Sequence, residues 1–75
     1  MKIKYPDDYF GKKLRIHDVD GNIYTGELYG YNFDYDDAGN QFAEIDLETA
    51  SHIIGFTEME IAHIEVLDDE KKNDA

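Results

Sequence analysis

The chain has no cysteine, one proline and one serine, and from Ile16 to Glu70 it carries no lysine or arginine. Without cysteine there is neither a disulfide nor a thiolate metal site, which suits a reducing compartment. No apolar run approaches the roughly 20 residues that a membrane-spanning helix requires. The opening stretch MKIKYPDDYFG has lysines but no apolar segment of the signal-peptide type. The expectation is a soluble, cytoplasmic protein with no membrane partner. No glycine-rich phosphate loop is present either. A chain of 75 residues makes one small domain. It buries only about 60% of its unfolded surface, so self-association is a natural route to further burial.

What is abundant is negative charge. The formal net charge is −11, and all seven Lys and Arg lie at positions 2 to 15 or at 71 and 72. His17, His52 and His63 are the only other possible cations, and they are mostly neutral at pH 7. Affinity for nucleic acid rests largely on neutralising phosphates with basic side chains. This distribution repels phosphates over most of the chain and favours a basic partner.

The patterning is that of a mostly β chain. Pro6, Asp7 and Asp8 can open a short N-terminal helix that Gly11 ends, with Tyr9 and Phe10 capping a core. Leu14 and Ile16 alternate with Lys13, Arg15 and His17, which is strand period. Asp20-Gly21 signals a hairpin. Ile23 to Phe33 is β-branched and aromatic, and Gly26 and Gly30 within it mark bends or bulges. DYDDAGN is a loop. QFAEIDLE is a strand with Ala43, Ile45 and Leu47 inward and Glu44, Asp46 and Glu48 outward. HIIGFTEME is a fourth strand. EIAHIEVL starts with a possible tight turn and ends in a short fifth strand. No internal repeat is read. Residues 1–67 form the domain, and 68–75 form a disordered acidic and polar tail. Five short, strongly bent antiparallel strands suggest a small barrel, which removes exposed edges.

That element order, with the residues that carry it, resembles the Sm-like (LSm) small-barrel family. Gly11 to Ile16 is similar to the family's entry from helix to strand. Asp20 to Leu28 resembles its DG hairpin and the following strand. Asn32-Phe33-Asp34-Tyr35-Asp36 has the spacing of its ligand loop, and Ile53-Ile54-Gly55 is similar to its second motif. The resemblance spans Lys12 to Leu67. It implies a ring assembled by pairing the fourth strand of one copy with the fifth of the next, with Ile54, Phe56, Ile64 and Val66 at the interface. It also implies an RNA site in which Tyr35 stacks a base. The other family positions differ here: Asn32 stands for an Asp, Asp36 for an Asn and Ile54 for an Arg, beside Gly55. In a ring of six or seven copies, Asp34, Asp36 and Asp37 would place on the order of twenty negative charges near the pore, repelling a phosphate backbone.

Other chemistries fit less well. A calcium loop starting at Asp34 has Asp36 and Gly39 in place, but Ala38 and Ile45 fall at ligand positions. The three histidines form no short zinc motif. Ser51 adjoins His52, but neighbours on an extended chain face opposite ways and cannot pair as nucleophile and base. Tyr29, Tyr31, Phe33 and Tyr35 share a face by strand period, either as barrel wall or as a cage for a cation. Glu44, Asp46, Glu48, Glu58 and Glu60 form a solvated face or a row mimicking phosphates. The sequence thus predicts a non-enzymatic protein-interaction module with no cofactor and no metal. It assembles with itself and offers an acidic surface to a basic protein. An RNA-binding ring is the first alternative and a nucleic-acid mimic the second.

Overall fold

The computed structural model describes residues 1–67, and the tail predicted over 68–75 lies outside them. The described residues form one five-stranded antiparallel sheet: β1 (Lys13–Asp18), β2 (Ile23–Tyr35), β3 (Gln41–Glu48), β4 (Ile53–Thr57) and β5 (Ile61–Val66). Their order across the sheet is β4-β3-β2-β1-β5. Among these residues no helix is long and apolar enough to cross a membrane.

The N-terminal helix predicted around Pro6 is a single 3-10 turn, Pro6–Tyr9. The sequence allows no more. Helix nucleation is costly, and Pro6 and Gly11 leave too few residues to repay it. Phe10 leaves the turn extended, at ψ 141°.

In β1 the alternation is realised: Leu14 and Ile16 are fully buried, while Lys13 is exposed and Arg15 and His17 are half-buried. The hairpin to β2 is closed by Asp18. Its backbone N–H donates to Asn22 O at 2.9 Å and its carbonyl accepts from Gly21 N–H at 3.2 Å. Asp18 Oδ1 accepts from the N–H groups of Asp20 at 2.9 Å and Asn22 at 2.8 Å. The β2–β3 loop repeats this geometry. Asp36 N–H donates to Asn40 O and Gly39 N–H to Asp36 O, both at 2.9 Å. Asp36 Oδ1 accepts from Ala38 N–H at 3.0 Å and Asn40 N–H at 2.8 Å. Gly21 and Gly39 have φ of 92° and 85°, where a side chain is strained. DVDGN and DDAGN are therefore one D-x-x-G-N turn used twice, a short repeat where none was read.

β2 pairs with β1 from Ile23 to Glu27 and with β3 from Glu27 to Tyr35, with a bulge at Tyr29. Gly26 marks a close approach: a Cβ there would lie 2.1 Å from Glu48 O. In β3 the predicted alternation holds, with Ala43, Ile45 and Leu47 buried. β4 stops at Thr57, earlier than HIIGFTEME implied. A Thr57–Glu60 capping box then starts a 3-10 turn, Glu58–Glu60. This turn precedes the position read for it, so β5 begins already at Ile61.

The predicted barrel is not closed, because β4 and β5 occupy opposite edges and pair only inward. The sheet is nevertheless strongly bent. Four strand spacings of about 4.8 Å would part the edges of a flat sheet by about 19 Å. Only Glu58–Glu60 separates β4 from β5, and the four steps from Thr57 to Ile61 span at most about 14 Å. The curl brings Tyr24 of β2 against Phe56 of β4, with ring centroids 5.3 Å apart, although these strands do not pair. Ile3, Leu14, Ile16, Leu28, Ala43, Ile45, Leu47, Phe56, Ile61 and Ile64 fill the interior. Each large apolar side chain buried there contributes about 1.5–3 kcal/mol.

Candidate functional site

The residues read as a ligand loop, Asn32 to Asp36, lie in the second half of β2 and where it turns into β3. Asp34 Oδ1 accepts from Tyr35 N–H at 2.8 Å. Tyr35 is 62% exposed, and its hydroxyl accepts from Gln41 Nε2 at 3.4 Å. The Asp36 carboxylate is committed to its own turn. The N–H of Asn40 leads the hydrogen bonds that hold it below the usual carboxylate range. Asp18 is lowered likewise, led by the N–H of Asn22. Asp36 therefore builds the loop. Among the described residues no cluster of three or more His, Cys, Asp or Glu is arranged to hold a metal ion.

The second-motif residues are not beside this loop. Ile54 pairs with Leu47 and packs against the core, and Gly55 pairs with Asp46 on the opposite face. Leu47 is six residues along β3 from Gln41, about 20 Å at strand rise. Tyr35 and Ile54 thus do not converge on one ligand.

Asn32 belongs to a different feature. Its Nδ2 donates to Glu44 Oε1 at 2.8 Å across the β2–β3 pair. Asn32, Glu44, Asp46, Gly55 and Glu60 then line a polar cleft of about 270 Å³ with Phe56 and Thr57. Three acids of the predicted outward row therefore meet on one surface.

Glu58 leaves that row, which corrects the solvated-face and phosphate-mimic reading of it. It is only 8% exposed. Its Oε1 accepts from Ala43 N–H at 2.9 Å and from Ile3 N–H at 3.5 Å, and Lys2 Nζ lies 3.7 Å from Oε2. The cause is the early end of β4. With β4 paired only from Glu44 onward, Ala43 N–H has no strand partner. A buried N–H must find an acceptor, and the side chain of Glu58 supplies it.

The four aromatics expected on one face are divided by the bulge. Leu28 pairs with Leu47 and Tyr31 with Ile45, so the inward phase shifts by one residue at Tyr29, which is 60% exposed. Tyr31 and Phe33 meet edge-on at 5.8 Å, and Phe10, which the period argument passed over, lies 5.9 Å from Tyr31. The Tyr31 hydroxyl donates to Asp7 Oδ1 at 2.9 Å. That bond pushes its pKa above the ordinary phenol value. Tyr31 packs against the core and so belongs to the wall.

His17, read as an outward-facing residue, joins an ion cluster on the outer side of β1 and β5. Its Nε2 is 2.8 Å from Glu65 Oε1, and Arg15 Nη1 is 3.4 Å from the same oxygen. The His17 contact leads in holding Glu65 below the usual range. His63 stands opposite His17 in register, with rings 5.4 Å apart. The alternation of β1 signalled one side of this cluster, but its partner strand was not legible.

Ser51 and His52 do meet, against the expectation for an extended chain. Ser51 Oγ is 2.7 Å from His52 Nδ1 in the exposed β3–β4 turn. The turn rotates consecutive side chains together, where a strand would part them. Thr49 Oγ1 shapes it by donating to His52 O at 2.8 Å and accepting from His52 N–H at 3.1 Å. Among the described residues no group orients the far nitrogen of His52, so the pair has no triad geometry.

Phe56 and Ile64 are buried in the core, Ile54 is partly buried, and Val66 is 42% exposed. Searches against protein-family models, curated proteins and solved structures find no match to this chain.

Proposed function

We propose that the chain is a non-enzymatic, Sm-like interaction module. It assembles with itself through its sheet edges and offers an acidic face to a basic protein segment in a reducing, cytoplasmic setting. One observation carries this reading: β4 and β5, the strands the resemblance pairs between copies, are the two edges of the sheet. An unpaired edge is a template for a strand of another chain. Pairing β4 of one copy with β5 of the next is heterologous, and it closes into a ring if the rotation per copy divides a full turn. The bend of the sheet supports a barrel-like unit completed by its neighbours. Phe56 and Ile64 serve their own core, so each edge offers backbone together with the exposed side chains of Ile53 and Val66.

The cleft of Asn32, Glu44, Asp46 and Glu60 supports a cationic partner. The RNA-ring alternative retains Tyr35, but its Asp36 is occupied by the turn and its Ile54 faces the core.

Multi-angle light scattering from micromolar to hundred-micromolar protein tests the assembly. A single mass of several copies supports it, and a monomer throughout removes it. Titration with a single-stranded oligonucleotide at two salt concentrations tests the alternative. Micromolar binding that weakens steeply with salt would replace the proposal with the RNA ring.

A further inference from the structure

β2 runs well past β1. The two pair only from Ile23 to Glu27, and among the described residues no strand pairs with that side of β2 beyond Glu27. The last four residues of β2, Asn32 to Tyr35, are all exposed. The β2–β3 ladder fixes which backbone groups are left over. Asp36 N–H donates to Asn40 O, and hydrogen-bonded pairs alternate along an antiparallel ladder. Asp34 with Phe42 and Asn32 with Glu44 are therefore hydrogen-bonded pairs, and the N–H and C=O groups of Phe33 and Tyr35 point away from β3. The side-chain contacts agree with this phase. Tyr35 N–H goes to Asp34 Oδ1, and Ala43, which stands opposite Phe33, sends its N–H to Glu58.

The far side of the same hairpin is already plugged. Glu58 takes Ala43 N–H, and Lys2 Nζ donates to Gln41 O at 3.5 Å. The β2 side keeps a row of outward backbone groups, which is a template for a further strand.

The bordering side chains select that strand. Asn32 and Asp34 lie on one face, where Asn32 holds Glu44 and opens onto the acidic cleft. Asp34 caps the N–H of Tyr35, so its carboxylate stands at the edge itself. Phe33 is on the other face, 41% exposed, and lines a cavity with Lys2 and Lys4. Cationic side chains therefore suit the first face, and apolar ones suit the second. A second copy would bring another Asp34 and a net charge of −11 to this edge, and like charges on adjoining strands oppose pairing.

We infer that the β2 edge at Asn32–Tyr35 docks an extended segment of another protein by strand addition. Lysines or arginines at alternate positions of that segment lie beside Asp34 and Glu44, and the apolar residues between them lie beside Phe33. The inference rests on the acidic-face reading above and adds to it the partner's conformation and place. It does not depend on the β4–β5 assembly.

The probe is a synthetic peptide alternating lysine and valine, titrated at low salt into the full chain and followed by amide resonances and calorimetry. Exchange of the Phe33 amide should slow by at least about tenfold at saturation. Of two peptides N-methylated on one or the other alternate set of residues, only one should lose affinity, by at least about tenfold. Only one set of N–H groups can face the edge. Asp34→Asn, shown to be folded by its thermal melt, should bind about threefold more weakly. No binding up to millimolar peptide overturns both this inference and the acidic-face reading. Shifts confined to Glu44, Asp46, Gly55 and Thr57, with neither N-methylated peptide weakened, overturn the docking edge and leave the acidic-face reading standing. Equal binding of a peptide alternating glutamate and valine overturns the charge selection. Protection of Phe33 that rises with protein concentration in the absence of peptide overturns the assignment to another protein, because a second copy would then fill the edge.

Discussion

The carboxylate of Glu58 accepts the backbone N–H of Ala43 at 2.9 Å, so a side chain takes the place of a strand at the end of β3. This contact joins the turn after β4 to the β2–β3 hairpin, and Ile3 N–H and Lys2 tie the N-terminal segment to the same group. Glu58→Ala leaves a buried donor without an acceptor, at a cost of about 1–3 kcal/mol. For a domain of this size that lowers Tm by about 4–8 °C for each kcal/mol. Glu58→Gln keeps an acceptor oxygen and should lose less. Urea or thermal unfolding of the two variants checks the order, and equal losses would mean that the Ala43 bond is not what matters.

The twin D-x-x-G-N turns make stability depend on pH. Asp18 and Asp36 are both held below their usual pKa by backbone N–H groups. A group whose folded pKa is depressed contributes stability that is fully present above the unfolded value, about 3.9 for Asp. That contribution is lost as pH falls through the folded value. Glu65, lowered chiefly by His17, acts in the same direction. The double variant Asp18→Asn, Asp36→Asn keeps an acceptor in each turn and removes both titrations. Its stability should fall less steeply below about pH 4 than that of the native chain. Unfolding midpoints measured from pH 7 to 2 would show parallel curves if the turns carried no such linkage.

The parts of the fold legible in sequence were those governed by period. β1 and β3 alternate cleanly because each has one face in the core, and Leu14, Ile16, Ala43, Ile45 and Leu47 are buried as their spacing implies. Asp20-Gly21 marked a true hairpin, although Asp18 closes it. The failures arose where a tertiary contact overrides local pattern. Gly30 marked the bulge to within one residue, but not that the inward phase shifts at Tyr29, and with that shift the expected aromatic face divides. Glu58 looked like one more surface acid because reading HIIGFTEME as one strand passes over the Thr57–Glu60 capping box, which follows the end of β4 and so marks where Ala43 N–H is orphaned. The candidate loop was legible as an acidic, aromatic turn. Its separation from Ile54 depends on strand register and was not.

Two glycines of β2 make opposite predictions. A Cβ on Gly26 would meet the backbone carbonyl of Glu48, whereas one on Gly30 meets nothing within 4 Å. Gly26→Ala must push two strands apart, so the expected loss is about 3 kcal/mol or more. Gly30→Ala should be neutral or stabilising by up to about 1 kcal/mol, because it restricts the unfolded chain. Denaturant unfolding of both variants checks the contrast. Similar losses at the two sites would show that the Gly26 approach relaxes freely.

If the edges assemble copies, charge placed on them should block assembly without unfolding the monomer. Ile53 is 46% exposed on β4 and Val66 is 42% exposed on β5, so neither is a core anchor. Lysine on an exposed edge strand is a common device against strand pairing. Ile53→Lys and Val66→Lys should each lower the mass found by light scattering toward that of one chain. Tm at low concentration should stay within a few degrees, since surface substitutions usually change stability by less than about 0.5 kcal/mol. Heterologous pairing adds a stricter consequence: a mixture of the two variants can form one intact junction, from the native β4 of the Val66→Lys chain to the native β5 of the Ile53→Lys chain. The mixture should therefore stop at dimers while each variant alone stays monomeric. Multimers larger than two in the mixture, or no dimer at all, would rule out β4–β5 pairing as the assembly contact.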